Sequence, residues 1–89
     1  MYQISYSTKS LKDLERLERK AVNRITKKIF FYAQQEDIRA FYKQLAGFVI
    51  PTYRFRVGEY RVVFDIGSSG EIQILNILRI KNRKDIYDL

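Results

Sequence analysis

Hydrophobic positions follow two different spacings along the chain, which predicts helices in the first half and strands in the second. The opening segment Tyr2–Tyr6 alternates apolar and polar residues, which indicates a short strand. A helix is then predicted over about residues 9–17, because Leu11, Leu14 and Leu17 recur at steps of three. Ser7 or Thr8 suits the N-cap of this helix.

A second helix is predicted from Arg19 to about Gln35. One face of it is apolar and carries Val22, Ile25, Ile29, Tyr32 and Ala33. The connection between the two helices is short, so we expect an antiparallel helical hairpin. Residues 37–44 are expected to add a helical turn, and Ala46-Gly47 ends this region before Pro51.

From Thr52 onward, apolar residues recur at every second position, which is the spacing of a strand. Two strands with this alternation are predicted, one on each side of Gly58-Glu59. A turn is expected at residues 67–70, and a third strand is predicted over residues 71–80. A short turn or helix after Asn82 closes the chain. The predicted fold is α+β: one domain over residues 1–89, ordered β-α-α-β-β-β, with the helical hairpin packed on one face of an antiparallel sheet and the other face open.

The Gly58-Glu59 pair sets the register of the first hairpin. A two-residue loop that begins with glycine fits a type II′ turn, so Val57 should face Tyr60 and Arg56 should face Arg61. Paired residues project from the same side of a sheet. Arg54, Arg56 and Arg61 then share the open side. The helix side carries six apolar residues: Tyr53, Phe55, Val57, Tyr60, Val62 and Phe64.

Three arginines on one sheet face point to an anionic ligand. Like charges directly opposite each other destabilise a sheet, and guanidinium groups bind phosphate oxygens in bidentate geometry. Solvated arginines, one of them paired with Glu59 or Asp65, are the alternative reading. Further basic residues follow at Arg79, Lys81, Arg83 and Lys84, although sequence alone leaves their face undecided.

Arg83 and Tyr87 are four residues apart and would share one face of a helical turn. Single-stranded RNA bases stack on such aromatic rings, so Tyr87 is a candidate RNA contact; a packing role for it is equally open.

The charge balance supports a polyanionic partner. Seventeen basic residues stand against ten acidic ones, for a net charge of +7, and nucleic acid is the leading candidate. The chain contains no Cys and no His, which excludes disulfides, thiolate metal sites and His-based catalysis. We expect no cofactor or metal. The first residues lack the features of a signal peptide and no apolar run could span a membrane, so a cytoplasmic protein without a membrane partner is expected.

Two segments carry a resemblance to a known family. Residues 53–64, Tyr-Arg-Phe-Arg-Val-Gly-Glu-Tyr-Arg-Val-Val-Phe, resemble the signature hairpin of the RelE/ParE toxin superfamily, and residues 78–87 are similar to its closing motif. The resemblance implies a toxin of a type II toxin–antitoxin pair. Its RelE branch enters the A site of the 70S ribosome and cuts mRNA through attack of the RNA 2′-hydroxyl on the adjacent phosphate.

The resemblance also implies roles for six residues, as candidate catalytic groups. Arg54 and Arg56 stand where RelE members carry lysines, Arg61 matches a phosphate-binding arginine, Lys81 and Arg83 fall in the terminal basic cluster, and Tyr87 matches the terminal tyrosine. Arginine stays protonated and is a poor general base, and no His stands near Asn82 as in many relatives. Electrostatic stabilisation is therefore the expected contribution, with Lys81 or Tyr87 as the visible candidate bases.

Two other functions remain open at this level. A ParE-like inhibitor of DNA gyrase would share the fold, and so would a relative that binds RNA or the ribosome without cutting it. The expected partner in each toxin case is a cognate antitoxin that is acidic, partly disordered and folds on binding.

Overall fold

The computed structural model describes residues 1–82, in which two helices cover one face of a five-stranded sheet. The elements are β1 Tyr2–Tyr6, α1 Thr8–Glu15, α2 Arg19–Ala33, a single 3-10 turn Ile38–Ala40, β2 Tyr42–Leu45, β3 Thr52–Val57, β4 Tyr60–Ser69 and β5 Ile72–Asn82. The strand order is β1-β5-β4-β3-β2. The predicted α+β fold is confirmed, with differences in strand count and direction.

The sheet has one strand more than predicted and is not wholly antiparallel. Residues 42–44, expected to belong to a helical turn, instead form edge strand β2 with Leu45, and β2 pairs with β3; the helical turn is confined to Ile38–Ala40. The first strand pairs with β5 in parallel orientation. The parallel pairing joins segments 71 positions apart in sequence, and β2 is only four residues long, so local periodicity reveals neither strand pairing.

Both helices begin near the predicted positions. The Ser7 side chain accepts a hydrogen bond of 3.0 Å from the Ser10 backbone N–H, which confirms it as the N-cap of α1. The predicted leucine stripe of α1 is only partly buried, because Leu11 is exposed whereas Ser10 and Asp13 are buried. The main contacts of α1 are with β5, and those of α2 are with β1 and β3.

The core lies between the helices and the sheet. Phe55 and Phe64, both fully buried, stack at its centre with ring centroids 4.2 Å apart. From α2 the core receives Ile25, Ile29, Tyr32 and Ala33, which recur at helical spacing. Neither helix in residues 1–82 has the length and apolar character needed to cross a bilayer.

Candidate phosphate-binding face

The β3–β4 hairpin has the predicted register. Val57 pairs with Tyr60, Arg56 with Arg61 and Arg54 with Val63. Gly58 has a φ of +58°, and no non-glycine residue in the described chain has positive φ, so only the first loop position is left-handed, as a type II′ turn requires. The prediction that the three arginines share the face opposite the core is confirmed.

The second hairpin extends the cationic face onto β5. The expected turn at residues 67–70 is wrong in position: Gly67, Ser68 and Ser69 belong to β4, and Gly70-Glu71 forms the two-residue loop. A bulge at Leu78 shifts the β5 register by one residue. Lys81 consequently lies opposite Arg61, and Arg79 lies opposite Val63.

Two rows of cations therefore cross the sheet. The first runs across β3, β4 and β5 and consists of Arg56, Arg61 and Lys81. The second runs across β2, β3, β4 and β5. It consists of the cations Lys43, Arg54 and Arg79, with the apolar Val63 between Arg54 and Arg79. We call these the first row and the second row. Lys43 was not singled out from sequence, because its strand is only four residues long and too short for a clear alternation.

The first row makes no ion pair in the part of the chain described, although the Lys81 charge helps to lower the pKa of Asp13, which is itself paired with Arg79. Arg56, Arg61 and Lys81 make no ion pair within residues 1–82. The buried Nε of Arg61 has no hydrogen-bond partner among these residues. Asp65, considered above as an ion-pair partner, instead accepts a hydrogen bond of 2.8 Å from Asn76. A buried donor without an acceptor is costly, so this arginine is suited to receive an anionic oxygen.

Arg79 in the second row has a structural partner. Its Nε and Nη2 donate to the two oxygens of Asp13 at 2.9 and 3.2 Å, and the Ile80 backbone N–H donates to the same carboxylate at 2.8 Å. Burial by itself would raise the pKa of Asp13, but these hydrogen bonds and the charges of Arg79 and Lys81 outweigh it and lower that pKa. The hydrogen bond to Asp13 raises the pKa of Arg79.

Arg83 and Tyr87, the remaining predicted site residues, lie outside the described residues. Asn82 is the last residue of β5 and pairs with Tyr60, so the chain leaves the sheet beside the first row. Residues 1–82 contain no cluster of acidic side chains suited to hold a metal ion.

Comparison with known proteins identifies the family. The family described as "ParE toxin of type II toxin-antitoxin system, parDE" matches residues 4–87. The chain belongs to this family. It is thus a toxin of the RelE/ParE type, as the hairpin and closing motifs implied. The comparison with curated protein sequences gave no match.

Solved structures of similar fold include several toxins. The chain is similar to one in the toxin–antitoxin complex RelBE2 from Mycobacterium tuberculosis, with a TM-score of 0.77, 24% identity and coverage of 94% of this chain and 93% of that one. The chain is also similar to one in a RelB–RelE antitoxin–toxin complex from Methanococcus jannaschii, with a TM-score of 0.62 and 27% identity. The match covers 94% of this chain and 95% of that one. A third similar structure is the YoeB/ParE toxin from Agrobacterium tumefaciens, with a TM-score of 0.69 and 20% identity. The match covers 90% of this chain and 97% of that one.

Proposed function

We propose that this toxin inhibits translation as a ribosome-dependent mRNA endoribonuclease that holds the RNA backbone on its open sheet face. The first row carries this proposal. Arg56, Arg61 and Lys81 lie side by side on three strands, where neighbouring strands are about 4.8 Å apart. Three cations at this spacing match the crowded oxygens of a phosphodiester, and the Nε of Arg61 lacks an internal acceptor in residues 1–82.

The reaction uses the RNA's own nucleophile. The 2′-oxygen forms a bond to phosphorus, the bond from phosphorus to the 5′-oxygen breaks, and the products are a 2′,3′-cyclic phosphate and a 5′-hydroxyl. Arg56 and Arg61 stabilise the extra negative charge on the phosphoryl oxygens in the transition state. Lys81 donates a proton to the departing 5′-oxygen, which a guanidinium cannot do effectively.

Removal of the 2′-hydroxyl proton requires a base from outside the two rows. The two rows contain six cations and a valine; the arginines do not accept a proton at neutral pH, and Lys81 is already assigned as the proton donor. We propose that water or a group of the ribosome takes this proton, which would make cleavage depend on the ribosome. Arg54 then acts as a phosphate contact in the second row. Arg83 and Tyr87 remain predicted RNA contacts.

A primer-extension assay on mRNA, with and without programmed 70S ribosomes, tests the proposal. We expect cleavage only with ribosomes. Arg61→Ala should lower the cleavage rate by about 10²–10³-fold, the scale for losing a donor to a transition-state oxyanion. Lys81→Arg keeps the charge but not the proton donor, so it should lower the rate by about 10²-fold or more. Lys27→Ala, an exposed residue of α2, is the control.

Gyrase inhibition is the second candidate, and the ParE description of the matching family favours it. A DNA supercoiling assay with purified gyrase, run beside the cleavage assay, separates the two. Inhibition of supercoiling without any mRNA cleavage would replace the first proposal by the second. Binding to ribosomes with neither activity would favour a non-catalytic relative.

We further propose a cognate acidic antitoxin that covers the open face. Two considerations support it: the net charge of +7, and similar solved structures that are toxin–antitoxin complexes. Electrostatic steering predicts that association slows as salt rises. Stopped-flow association rates between about 50 and 500 mM salt would measure this, and a rate independent of salt would contradict it.

A further inference from the structure

Val63 is buried on the wrong side of the sheet for a core residue. It projects with Arg54 from the open face, yet it is only 3% exposed and is not part of the core beneath the helices. Something on the open face must cover it. Val63 borders a cleft on this face together with Phe48 from the loop between β2 and β3, the start of α1, and Leu78 at the β5 bulge.

The cleft has two kinds of wall. Phe48, Val63 and Leu78 supply apolar surface, while Ser7, Thr8 and Lys9 at the start of α1 supply polar groups. Its volume is about 400 Å³, within the range of sites for small organic groups. Phe48 is 46% exposed, so part of its surface is available to a ligand.

This combination suits a flat group with an apolar face and a polar edge. A nucleobase has both, and single-stranded RNA is bound through such stacking on aromatic rings. The polar edge of the base would lie near the start of α1. There the Lys9 ammonium and the positive end of the helix dipole favour the hydrogen-bond acceptors of the base. Thr8 and Lys9 are exposed and can exchange water for the polar edge of a base, whereas the Ser7 hydroxyl is already hydrogen-bonded to the Ser10 N–H and the Leu78 carbonyl.

The position of the cleft relative to the two rows supports the same ligand. Val63 lies within the second row, between Arg54 and Arg79, and two residues along β4 from Arg61. Two residues of a strand span about 7 Å. A nucleotide whose phosphate lies on the first row can therefore place a base of the same strand in the cleft that Val63 and Phe48 border.

We infer that this cleft is a nucleobase subsite in which one base of the mRNA stacks on Phe48. The inference rests on the proposed RNA-binding function and adds a recognition element to it. Phe48 is here a substrate-binding residue rather than a positioning one. The subsite gives the toxin a contact to the base itself, whereas the cation rows contact only the backbone.

The test measures binding of the full-length toxin to 70S ribosomes programmed with mRNA that carries a 2′-O-methyl group at the cleaved nucleotide, so that no cleavage occurs. Each A-site nucleotide is replaced in turn by an abasic one. Phe48→Ala should weaken binding to intact mRNA by about 5- to 150-fold, the range for one stacked base. On one of the abasic mRNAs this effect should fall to about twofold or less.

Matched variants separate stacking from general damage. Phe48→Trp should restore binding, and Val49→Ala, in the same loop but fully exposed and outside the cleft, should bind like wild type. Thermal melts establish that each variant is folded. Equal binding by Phe48→Ala and wild type would overturn the inference, as would a loss of equal size on every abasic mRNA. Loss of antitoxin binding alone would also overturn it and assign the cleft to a protein ligand.

The proposed function can fail separately. If wild-type toxin neither binds nor cleaves mRNA on the ribosome, the endoribonuclease proposal falls and the subsite falls with it. If wild-type toxin cleaves normally and Phe48→Ala does too, only the subsite is removed.

Discussion

Replacing Asp13 with alanine tests how the fold separates a structural arginine from the proposed phosphate-binding ones. Asp13 is 8% exposed and accepts three hydrogen bonds, two from Arg79 and one from the Ile80 backbone N–H. The alanine variant removes all three. It leaves the Arg79 guanidinium, on a side chain that is 27% exposed, and the Ile80 backbone N–H without their acceptor.

The expected loss follows from the burial of the two partners. Breaking a fully buried ion pair costs about 3–5 kcal/mol, and a hydrogen bond to a charged group contributes about 1.5–3 kcal/mol. Because Arg79 keeps partial access to water, we expect a loss near the lower end, about 3 kcal/mol. In a chain of this size, that loss lowers the melting temperature by about 12–24 °C.

The pH dependence gives a second measurement. The pKa of Asp13 is lowered in the folded state from a usual value of 3.8, so its contribution to stability is present above pH 3.8 and is lost as pH falls through the folded-state pKa. The difference in the free energy of unfolding between wild type and Asp13→Ala should therefore shrink below pH 3.8. Urea denaturation followed by circular dichroism at pH 7 and pH 3 measures both values.

A surface ion pair in the same chain is the control. Asp37 pairs with Arg39, but both side chains are more than half exposed, so Asp37→Ala should leave the melting temperature nearly unchanged. A loss below about 1 kcal/mol for Asp13→Ala at pH 7 would refute the reasoning, because it would place this pair on the scale of an exposed one. A difference that stays constant down to pH 3 would refute the pKa argument.

Three further substitutions test the hairpin. Arg61→Ala should abolish growth inhibition in cells while raising the melting temperature slightly, because it relieves repulsion from Arg56; a markedly less stable variant would contradict this. Phe64→Ala should cost about 3–5 kcal/mol in urea denaturation, since Phe64 is fully buried against Phe55. Gly58→Ala should cost about 1–3 kcal/mol because alanine is strained at a φ of +58°, whereas Glu59→Ala should be nearly neutral by the same measurement.

The β3–β4 hairpin could be predicted from sequence because its determinants are local. One glycine fixed the loop, and a slip of one residue would have turned the arginines into the core. Helix α2 was predictable for the same reason, since its buried face is apolar at regular spacing, whereas α1 buries Ser10 and Asp13 beside Leu14. Local patterns of this kind require no knowledge of distant partners.

The remaining strands depend on partners that the sequence does not name. The core residues of β5 are Leu75, Ile77 and Ile80. Because of the bulge at Leu78, the last two are three positions apart, and a strict alternation of two would not predict this spacing. Without that bulge, Lys81 would not lie opposite Arg61. The Asp13–Arg79 pair joins residues 66 positions apart, so no local pattern could have revealed it.

The uneven pairing of the cations on the open face supports a binding function, because Arg79 has a carboxylate partner and the first row makes no ion pair within residues 1–82. A fold that needed only solubility could pair each sheet arginine with a nearby carboxylate, as it pairs Arg79 with Asp13. The first row instead places Arg56, Arg61 and Lys81 next to one another, where repulsion between directly opposed like charges lowers stability by a few tenths to about 1 kcal/mol for each pair. Phosphate between these side chains would convert that repulsion into attraction. The stabilisation would be gained only when the ligand is bound, and therefore appears as affinity and not as stability of the isolated toxin.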